Sequence, residues 1–293
     1  MDKESYVLIT PARNEEAYIE RAIESVISQT ILPKKWVIVS DGSTDRTDEI
    51  VGDYVARCDF IQLLRVAGDR NRNFGSKVNA FNAGYKQLEG IDYDFIGIVD
   101  ADVSFDSDYY ENVLARFEQN PKLGIAGGIF FDVYDGKPHK ALVSLNSVRG
   151  PIQLFHRQCY RDIGDYIPQK LGGEDTVAEV MARMYGWEVQ SFPELKGLHH
   201  RPTGTQGLTI WRARFRQGIV AYSLGYHPLF QIAKCLYRVA EKPSFIGSIL
   251  TMCGYYWSAL RQDERIVSTD FVKYIRQEQM HRLKSLFLRF NRI

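Results

Sequence analysis

The sequence predicts an α/β protein with a mostly parallel central sheet flanked by helices, followed by a helical, basic C-terminal extension. Over the first hundred residues, short runs that are apolar at nearly every position alternate with segments whose apolar residues recur at helical spacing. Strands of that kind are buried on both faces of a sheet, and the helices between them supply the crossovers that parallel strands require. The composition, 45% hydrophobic and 25% charged over 293 residues, is typical of a globular protein with a substantial core.

The elements follow in order along the chain. The predicted strands of the first half are Tyr6–Ile9, Trp36–Val39, Phe60–Val66 and Phe95–Val99. The helices between them have apolar faces within Ile19–Ile27, Ile50–Val55 and Val78–Leu88. The second half is predicted to contain a helix from Asp108 to Asn120, a glycine-bearing strand from Gly124 to Tyr134 and a helix that opens at Gly172.

Charge is divided unequally between the two ends of the chain. Residues 1–200 contain 22 Lys and Arg against 31 Asp and Glu, a net charge of −9, whereas residues 201–293 contain 15 against 5, a net charge of +10. A basic end of this kind predicts an anionic partner or surface. The four cysteines are far apart and form no Cys-x-x-Cys, which disfavours a zinc ribbon, a redox pair and a disulfide framework.

Two further segments bear on location. Met1–Ser5 is polar and lacks the basic and apolar pattern of a signal peptide. The uncharged run Ser244–Leu260 is shorter and more polar than a membrane-spanning helix requires. We therefore expect a protein on the cytosolic side.

Polar groups follow three of the predicted strands. The first strand is followed by Thr10-Pro11-Ala12-Arg13-Asn14-Glu15, the second by Asp41-Gly42-Ser43 and the fourth by Asp100-Ala101-Asp102. The carboxyl ends of parallel strands share one edge of the sheet, and ligands of open α/β sheets bind at that edge. The sequence therefore predicts a ligand site there.

Asp100 and Asp102 form a carboxylate pair just past a buried strand. Two carboxylates at this spacing suit one hard divalent cation, Mg²⁺ or Mn²⁺, and leave coordination positions for phosphate oxygens. The alternative is a polar turn that caps the next helix, because Asp is favoured in turns and caps. The position of Asp41 at an equivalent strand end favours the metal site.

Asp41 and Lys77 are candidate nucleotide contacts. Asp41 ends its strand, where a carboxylate can accept the imide N–H of uracil or the edge of guanine, whereas Asp45 is expected to cap the following helix. Lys77 stands two residues after Gly75 at a helix start, where backbone amides and an ammonium group attract phosphate. A solvated first-turn lysine is the alternative.

Gly172-Gly173-Glu174-Asp175 places two carboxylates at the start of a helix. A favourable interaction with the helix dipole explains such residues in many proteins. The alternative is a general base, with one carboxylate held near the acceptor hydroxyl of a sugar. The paired glycines favour the base, because they allow a backbone to approach a ligand closely and otherwise weaken a helix.

Histidine and arginine clusters follow. An adjacent pair such as His199-His200 does not easily chelate one ion, so at most one is expected to reach a metal or phosphate; we assign His199, with a structural role as the alternative. Arg212, Arg214 and Arg216 alternate within Trp211–Gly218. In a helix they spread over more than one face, and in a flexible loop they close over a leaving diphosphate.

Five motifs in this order resemble the inverting glycosyltransferases of family 2, which have the GT-A fold. The motifs are Thr10–Glu16, Asp41–Asp45, Gly75–Gly84, Asp100–Asp102 and Gly172–Asp175. The resemblance implies a GT-A catalytic domain over residues 1–220, with a nucleotide-binding part at about 1–105 and an acceptor-binding part at about 106–220. A helical, basic region follows over residues 221–293.

The resemblance also implies roles in donor binding. Pro11, Glu15 and Asp41 would line the nucleoside pocket, with Lys77 near the base or the phosphates. Arg13 joins this nucleotide-binding set but stands where relatives commonly have Tyr. The diphosphate-contacting segment of relatives matches the residues Arg214 and Arg216.

Metal and catalytic roles follow from the same resemblance. Asp100 would serve the ribose or the metal, and Asp102 the metal. Asp175 would be the catalytic base, with Glu174 orienting the acceptor. The cofactor implied is Mg²⁺ or Mn²⁺.

Together these features predict a metal-dependent inverting glycosyltransferase. It would move a sugar from a UDP- or GDP-sugar to a glycan or lipid-linked acceptor in cell-surface polysaccharide or glycolipid biosynthesis. The lack of G-x-G-x-x-G after the first strand disfavours an NAD-dependent enzyme. The alternatives are a non-catalytic sugar-nucleotide-binding module and a nucleotidyltransferase on a related fold, and no nucleic-acid partner is expected.

The last segment has the pattern of an interfacial helix. Its apolar residues at helical spacing are Val272, Ile275, Met280, Leu283, Leu286, Phe287 and Phe290. The interleaved basic residues are Lys273, Arg276, Arg282, Lys284 and Arg289. We expect peripheral contact with the anionic inner face of the cell membrane, aided by Ser244–Leu260; an apolar face packed on the catalytic domain is the alternative.

Overall fold

A computed structural model describes residues 4–68, 75–134, 136–140, 144–164, 166, 171–201, 209–240 and 243–290 of the chain. The chain forms two compact units. The first comprises Met1–Lys170 and Glu174–Pro202, and the second comprises Leu171–Gly173 and Thr203–Ile293. The units thus divide after residue 202, whereas the functional boundary at residue 220 stays a prediction.

The first unit contains nine strands and six α-helices among the described residues. The strands are β1 (Tyr6–Ala12), β2 (Lys35–Asp41), β3 (Ile61–Val66), β4 (Phe95–Ile98), β5 (Val103–Phe105), β6 (Leu123–Tyr134), β7 (Lys137–Lys140), β8 (Leu154–His156) and β9 (Glu188–His199). The helices are α1 (Ile19–Ile27), α2 (Thr47–Val55), α3 (Gly75–Lys86), α4 (Tyr109–Gln119), α5 (Arg157–Asp162) and α6 (Glu174–Met184), with a 3₁₀ turn at Gly150–Ile152.

The strands form one sheet in the order β3-β2-β1-β4-β8-β6-β9-β5, with β7 paired to β6. The four strands β3, β2, β1 and β4 are parallel, as are β6 and β9. Antiparallel pairs join β8 to β4 and β6, β5 to β9, and β7 to β6. The predicted α/β class is confirmed, and the antiparallel strands make the second half of the sheet mixed.

The core explains why the parallel half forms. Residues Tyr6–Ile9 and Trp36–Val39 are buried on both faces of the sheet, as strands covered by helices on each side must be. The one polar group of the Trp36 side chain is satisfied, because its Nε1–H donates to Thr10 Oγ1 at 2.9 Å. The backbone of Val99 donates to the carbonyl of Ile9 at 3.1 Å, which brings the ends of β1 and β4 together. This packing aligns the three polar strand ends at one edge.

The second unit consists of four helices in its described part. They are α7 (Ile210–Ser223), α8 (Pro228–Tyr237), α9 (Ile246–Arg261) and α10 (Thr269–Phe290). The segment Trp211–Gly218 is therefore helical rather than a loop. Helices α7 and α9 cross at two glycines: a Cβ on Gly218 would lie 2.0 Å from Thr251 O, and one on Gly254 would lie 2.0 Å from Phe215 O.

Replacing Gly218 by Ala should destabilise the protein by about 1–3 kcal/mol, because a methyl group at this backbone contact forces α7 and α9 apart. The matched control is Gly52→Ala on α2, where a Cβ has nothing within 4 Å. That change should instead stabilise by about 0.5–1 kcal/mol through helix propensity. Urea unfolding followed by circular dichroism compares both variants with the wild type, and equal effects of the two substitutions would contradict the crossing geometry.

Candidate active site

The loops after β1 and β2 are joined by polar contacts. Asn14 has a left-handed φ of +56°, a conformation that Asn tolerates, and its Oδ1 accepts the backbone N–H of Thr44 at 2.8 Å. Asp45 accepts the N–H of Thr47 through Oδ1 and the N–H of Glu16 through Oδ2, each at 3.0 Å. Asp45 thus caps the start of α2 as predicted, and it also fixes the first loop against the second.

Three of the predicted nucleotide-binding residues lie at this edge. Pro11 is the second-last residue of β1, and Asp41 ends β2. Arg13 reaches across, with its Nη1 3.7 Å from Asp41 Oδ2. A guanidinium beside the Asp41 carboxylate makes this edge of the sheet polar. The roles of Pro11, Arg13 and Asp41 in base recognition stay predictions.

Asp100 is held from two sides. Its backbone N–H donates to the carbonyl of Pro151 at 3.0 Å, and Lys77 Nζ lies 2.7 and 2.9 Å from its two carboxylate oxygens. Burial disfavours the charged form of Lys77, but the pKa of this lysine is raised because the charges of Asp100 and Glu174 outweigh burial. Lys77 therefore connects the end of β4 to the start of α6.

Asp102 is the more buried carboxylate of the Asp100–Asp102 pair, with 4% of its surface exposed. His199 Nε2 lies 3.3 Å from its Oδ1, and Arg201 Nε lies 3.5 Å from its Oδ2. Burial opposes ionisation, but these two cations hold the pKa of Asp102 below its usual value. His199 Nδ1 in turn lies 2.9 Å from Asp132 Oδ1, and Arg149 Nη2 lies 2.9 Å from that same oxygen.

His199 lies between two carboxylates, those of Asp102 and Asp132. Burial alone would lower its pKa, but hydrogen bonds to Asp102 and Asp132 raise the pKa of His199 to about 9. Arg201 also pairs with Glu15 and stacks on the ring of Tyr18, with 5.3 Å between its guanidinium carbon and the ring centroid. Burial raises the pKa of Glu15 to about 7, although Arg201 opposes that shift. Glu15 is thus joined to the Asp102 side of the site.

The predicted catalytic pair opens α6. Gly172 and Gly173 have left-handed φ values of +85° and +100°, which explains why glycine precedes the helix. Asp175 Oδ1 accepts the backbone N–H of Thr176 at 2.7 Å. Glu174 Oε2 is buried and has no hydrogen-bond partner among the described residues. Burial and the neighbouring Asp175 raise the pKa of Glu174.

A small cavity joins the catalytic pair to Lys77. It measures about 10 Å³, room for roughly one water molecule. Its lining consists of Lys77, Val78, Phe81, Ile98, Gly150, Tyr166, Glu174 and Asp175. The residues predicted separately for phosphate binding and for base catalysis therefore meet at one place in the first unit.

The metal-binding prediction can be tested against the donor atoms. No group of three or more His, Cys, Asp and Glu side chains in the described ranges forms a ready metal cluster. Asp102 Oδ1 and His199 Nε2 do face each other at 3.3 Å, close to the roughly 3 Å between neighbouring ligands of an octahedral ion. Asp132 orients His199 as the outer partner of a metal-ligating histidine does. A divalent ion that takes its other ligands from a diphosphate and water fits this set once the proton on His199 Nε2 is released, because only a neutral imidazole nitrogen ligates a metal.

Arg214 and Arg216 lie on α7 in the second unit. Arg214 Nη1 donates to Gln217 Oε1 at 3.3 Å, and Arg216 Nη1 donates to the carbonyl of Leu171 at 3.3 Å. Their contact with a diphosphate stays a prediction.

The sequence patterns did not predict four charged residues of this region: Asp132, Arg149, Glu179 and Arg201. Asp132 interrupts the apolar strand β6, and Glu179 stands beside Val180 in α6, where three neighbouring residues are buried. Glu179 is 4% exposed, and its Oε1 accepts the N–H of Val148 at 2.7 Å. A charged residue within an apolar element is the one sequence signal that identifies such positions.

A parallel half-sheet with carboxylates at three strand ends, next to a helix that opens with two acids, is the arrangement of a GT-A glycosyltransferase. The chain belongs to glycosyl transferase family 2, whose family profile matches residues 7–171, more than half of the sequence. The resemblance stated from the five motifs is confirmed.

Curated relatives agree with this assignment. Poly-beta-1,6-N-acetyl-D-glucosamine synthase of Staphylococcus epidermidis is 28% identical over 224 residues, 70% of this chain and 52% of that protein. The protein of the same name from Staphylococcus aureus strain COL is 27% identical over 234 residues, 73% of this chain and 54% of that protein. The chain spans about half the length of these relatives.

Two solved structures share the fold. The mannosyltransferase PcManGT from Pyrobaculum calidifontis, in complex with GDP-Man and Mn²⁺, has a TM-score of 0.57 at 14% identity. This match covers 98% of this chain and 81% of the PcManGT chain. S. aureus TarS 1–349, in complex with UDP-GlcNAc, has a TM-score of 0.57 at 14% identity. This match covers 94% of this chain and 82% of the TarS chain. At these identities the likeness concerns the fold alone.

Replacing Glu179 by Gln should stabilise the protein relative to wild type increasingly as pH rises from about 5 to about 8. Burial and Asp175 raise the folded-state pKa of Glu179 to about 8, above the roughly 4.3 of an unfolded chain. The folded wild type then binds more protons than the unfolded chain in this window. Its stability falls with pH by at most about 1.4 kcal/mol per unit, and Gln does not titrate.

Urea unfolding at several pH values from 5 to 9 measures this difference. The exposed Glu89→Gln variant is the control, since an exposed side chain on the surface should give a difference that does not vary with pH. The difference for Glu179→Gln should level off above about pH 8. A difference that is constant from pH 5 to 9 would contradict a protonated Glu179.

Proposed function

We propose that this chain is a metal-dependent, inverting glycosyltransferase that moves a sugar from a nucleotide-diphospho sugar to a glycan or lipid-linked acceptor. The convergence of Lys77, which pairs with Asp100, and the Glu174–Asp175 pair at one small cavity carries the proposal. It brings together groups suited to a diphosphate and a carboxylate suited to an acceptor hydroxyl. The place in metabolism that we propose is polysaccharide or glycolipid biosynthesis.

The donor would enter along the strand ends. Its base and ribose would lie between Pro11, Arg13 and Asp41, and Lys77 would face its phosphates. Asp102 and His199 would hold a divalent ion, Mg²⁺ or Mn²⁺, with Asp100 beside them. When bound, this ion would neutralise charge on the departing diphosphate.

Asp175 would act as the general base. The acceptor hydroxyl would give its proton to Asp175 while its oxygen attacks the anomeric carbon, and the nucleoside diphosphate would leave from the opposite face. Direct displacement of this kind inverts the anomeric configuration. The pKa of Glu174 is raised by burial and by Asp175, which suits it to orient the acceptor by hydrogen bonding.

The names of relatives support a particular donor class. Two curated relatives are poly-beta-1,6-N-acetyl-D-glucosamine synthases, and one structure of the same fold holds UDP-GlcNAc. Another structure of this fold holds GDP-Man with Mn²⁺. We therefore propose UDP-N-acetylhexosamine as the first donor to test, with GDP-mannose as the comparison.

Asp175→Asn should lower the rate of sugar transfer by roughly 10²–10⁴, the usual range for loss of a general base, while nucleotide binding in Mn²⁺ is retained. Asp102→Asn is the matched variant: it should lose the metal-dependent part of nucleotide binding, measured by calorimetry. NMR of the product should show the anomeric configuration opposite to that of the donor.

Different results would count against each part of the mechanism. Retention of configuration, or a wild-type rate for Asp175→Asn, would remove Asp175 as the base. Full activity of the wild type in excess chelator would remove the metal. Nucleotide binding without release of nucleoside diphosphate from any donor would favour a non-catalytic binding module.

We also propose that the second unit contacts an anionic membrane surface at the cytosolic face. Of the 18 large apolar side chains that are exposed in the described part of the chain, 14 lie in this unit. Helix α9 presents one apolar stripe, formed by Ile246, Ile249, Tyr256, Trp257 and Leu260. Aromatic and aliphatic side chains on a basic unit suit a headgroup region with negative charge. Among the described helices, none is long and apolar enough to span a bilayer.

The C-terminal helix contributes less of this surface than its pattern predicts. Val272 and Ile275 are buried, and Arg276 Nε donates to the carbonyl of Gly225 at 2.8 Å, so the first half of α10 packs inside the second unit. Leu286 is exposed. The predicted contributions of the Phe287, Arg289 and Phe290 side chains lie outside the described residues.

The double substitution of Ile249→Ser and Trp257→Ser should weaken binding to phosphatidylglycerol-containing vesicles by about tenfold or more, because two apolar side chains are no longer buried in the bilayer interface. Cosedimentation with the vesicles measures this binding. Leu32→Ser, at an exposed site of the first unit, is the control and should bind like wild type. Equal binding to neutral and anionic vesicles, or none, would contradict the proposal. A dimer that the double substitution dissociates in light scattering would assign the stripe to self-association.

A further inference from the structure

The segment Ser147–Gln153 has no predicted catalytic residue, yet it contacts both the end of β4 and helix α6. Its Pro151 carbonyl accepts the backbone N–H of Asp100 at 3.0 Å, and its Gln153 carbonyl accepts that of Ile98 at 2.9 Å. These bonds fix the segment to the end of β4. The segment therefore moves with the strand that carries the Asp100 carboxylate.

The other end of the segment is fixed to α6 by one side chain, Glu179. Its Oε1 accepts the N–H of Val148 at 2.7 Å and the hydroxyl of Ser147 at 2.9 Å. Glu179 lies one helical turn after Asp175, and Arg183 Nη1 lies 3.8 Å from its second oxygen. Strand β9 adds one bond, from Ser191 Oγ to the carbonyl of Ser147 at 2.6 Å.

Gly150, in the middle of the segment, lies against the predicted base. A Cβ built on Gly150 would be 3.2 Å from Asp175 Oδ2 and 3.3 Å from Asp175 Cβ. These distances are tighter than ordinary van der Waals contact, so the backbone of Gly150 already packs on this carboxylate. The other Asp175 oxygen is held by Thr176 N–H, which leaves the segment as the neighbour that limits where Oδ2 can lie.

We propose that Glu179 is a positioning residue for sugar transfer: by anchoring Ser147–Gln153 to α6, it fixes the distance between the base Asp175 and the Asp100 end of β4. The assignment rests on the proposed function. Glu179 does not touch the reacting groups, and it acts through the backbone of Val148 and Gly150. A displacement of about 1 Å at a reacting group can cost 10²-fold in rate.

Two substitutions at Glu179 test whether its accepted hydrogen bonds carry the positioning role. Glu179→Ala removes both accepted hydrogen bonds and should lower kcat by about 10–100-fold, with the dissociation constant of UDP in Mn²⁺ unchanged within twofold. Glu179→Gln keeps an oxygen acceptor at the same place and should recover most of the lost kcat. Release of UDP from UDP-GlcNAc, with GDP release from GDP-mannose as the alternative donor assay, measures the rates.

Val180→Ala is the matched control. Val180 is 1% exposed on the same helix, and a valine side chain accepts no hydrogen bond, so the change costs stability but leaves both bonds from the segment to Glu179 in place. It should leave kcat of the folded protein unchanged. Hydrogen exchange of the Val148 amide gives a readout other than activity, and it should be faster in Glu179→Ala than in Glu179→Gln or Val180→Ala.

The possible outcomes are distinct. A folded Glu179→Ala with wild-type kcat, or a Glu179→Gln as impaired as Glu179→Ala, would overturn the positioning role. If Glu179→Ala does not fold, the variant Gly150→Ala replaces it, because its methyl group presses on Asp175 from the side of the segment. A lower kcat of Gly150→Ala with unchanged UDP affinity supports the proposal. A wild-type kcat overturns it. A wild type that releases no nucleotide from either donor would instead defeat the proposed function.

Discussion

The pairing of carboxylates with cations at the carboxyl edge of the sheet is the interaction on which the site depends. Asp100 is paired with Lys77, and Asp102 with His199 and Arg201. Uncompensated charges at this depth would cost several kcal/mol each. The cations come from α3 and from the end of β9, so neutralising the strand ends also joins the parallel half of the sheet to its mixed half.

The parallel half could be predicted because its signal is local. Apolar runs and helical spacing identify β1 to β4 and the helices between them. The parallel direction of these strands follows from the helical crossovers. The mixed half could not be predicted to the same extent. Strands β5 and β8 have three residues each, too few for a period, and their partners β9, β4 and β6 are distant in sequence.

The same distinction applies to the residues of the site. Asp41, Asp100, Asp102 and the Glu174–Asp175 pair stand at strand ends or a helix start, positions that a sequence displays directly. Arg201 pairs with Glu15 across 186 residues of sequence, and Asp132 meets His199 across 67. No local pattern encodes such pairs. Only the register of β6 with β9, which sets Asp132 opposite His199, brings the latter two together.

The carboxylates of the site also differ in the groups that they contact, and this difference matches the different roles proposed for them. Those at the strand ends face Lys, Arg or His, so each lies in a cationic setting. Asp175 has no ion pair among the described residues, and its hydrogen bond comes from the backbone of Thr176. A carboxylate whose one oxygen is held by a helix start keeps its other oxygen for a proton. A base needs that availability, whereas an anchor for a diphosphate and its metal needs the surrounding positive charge.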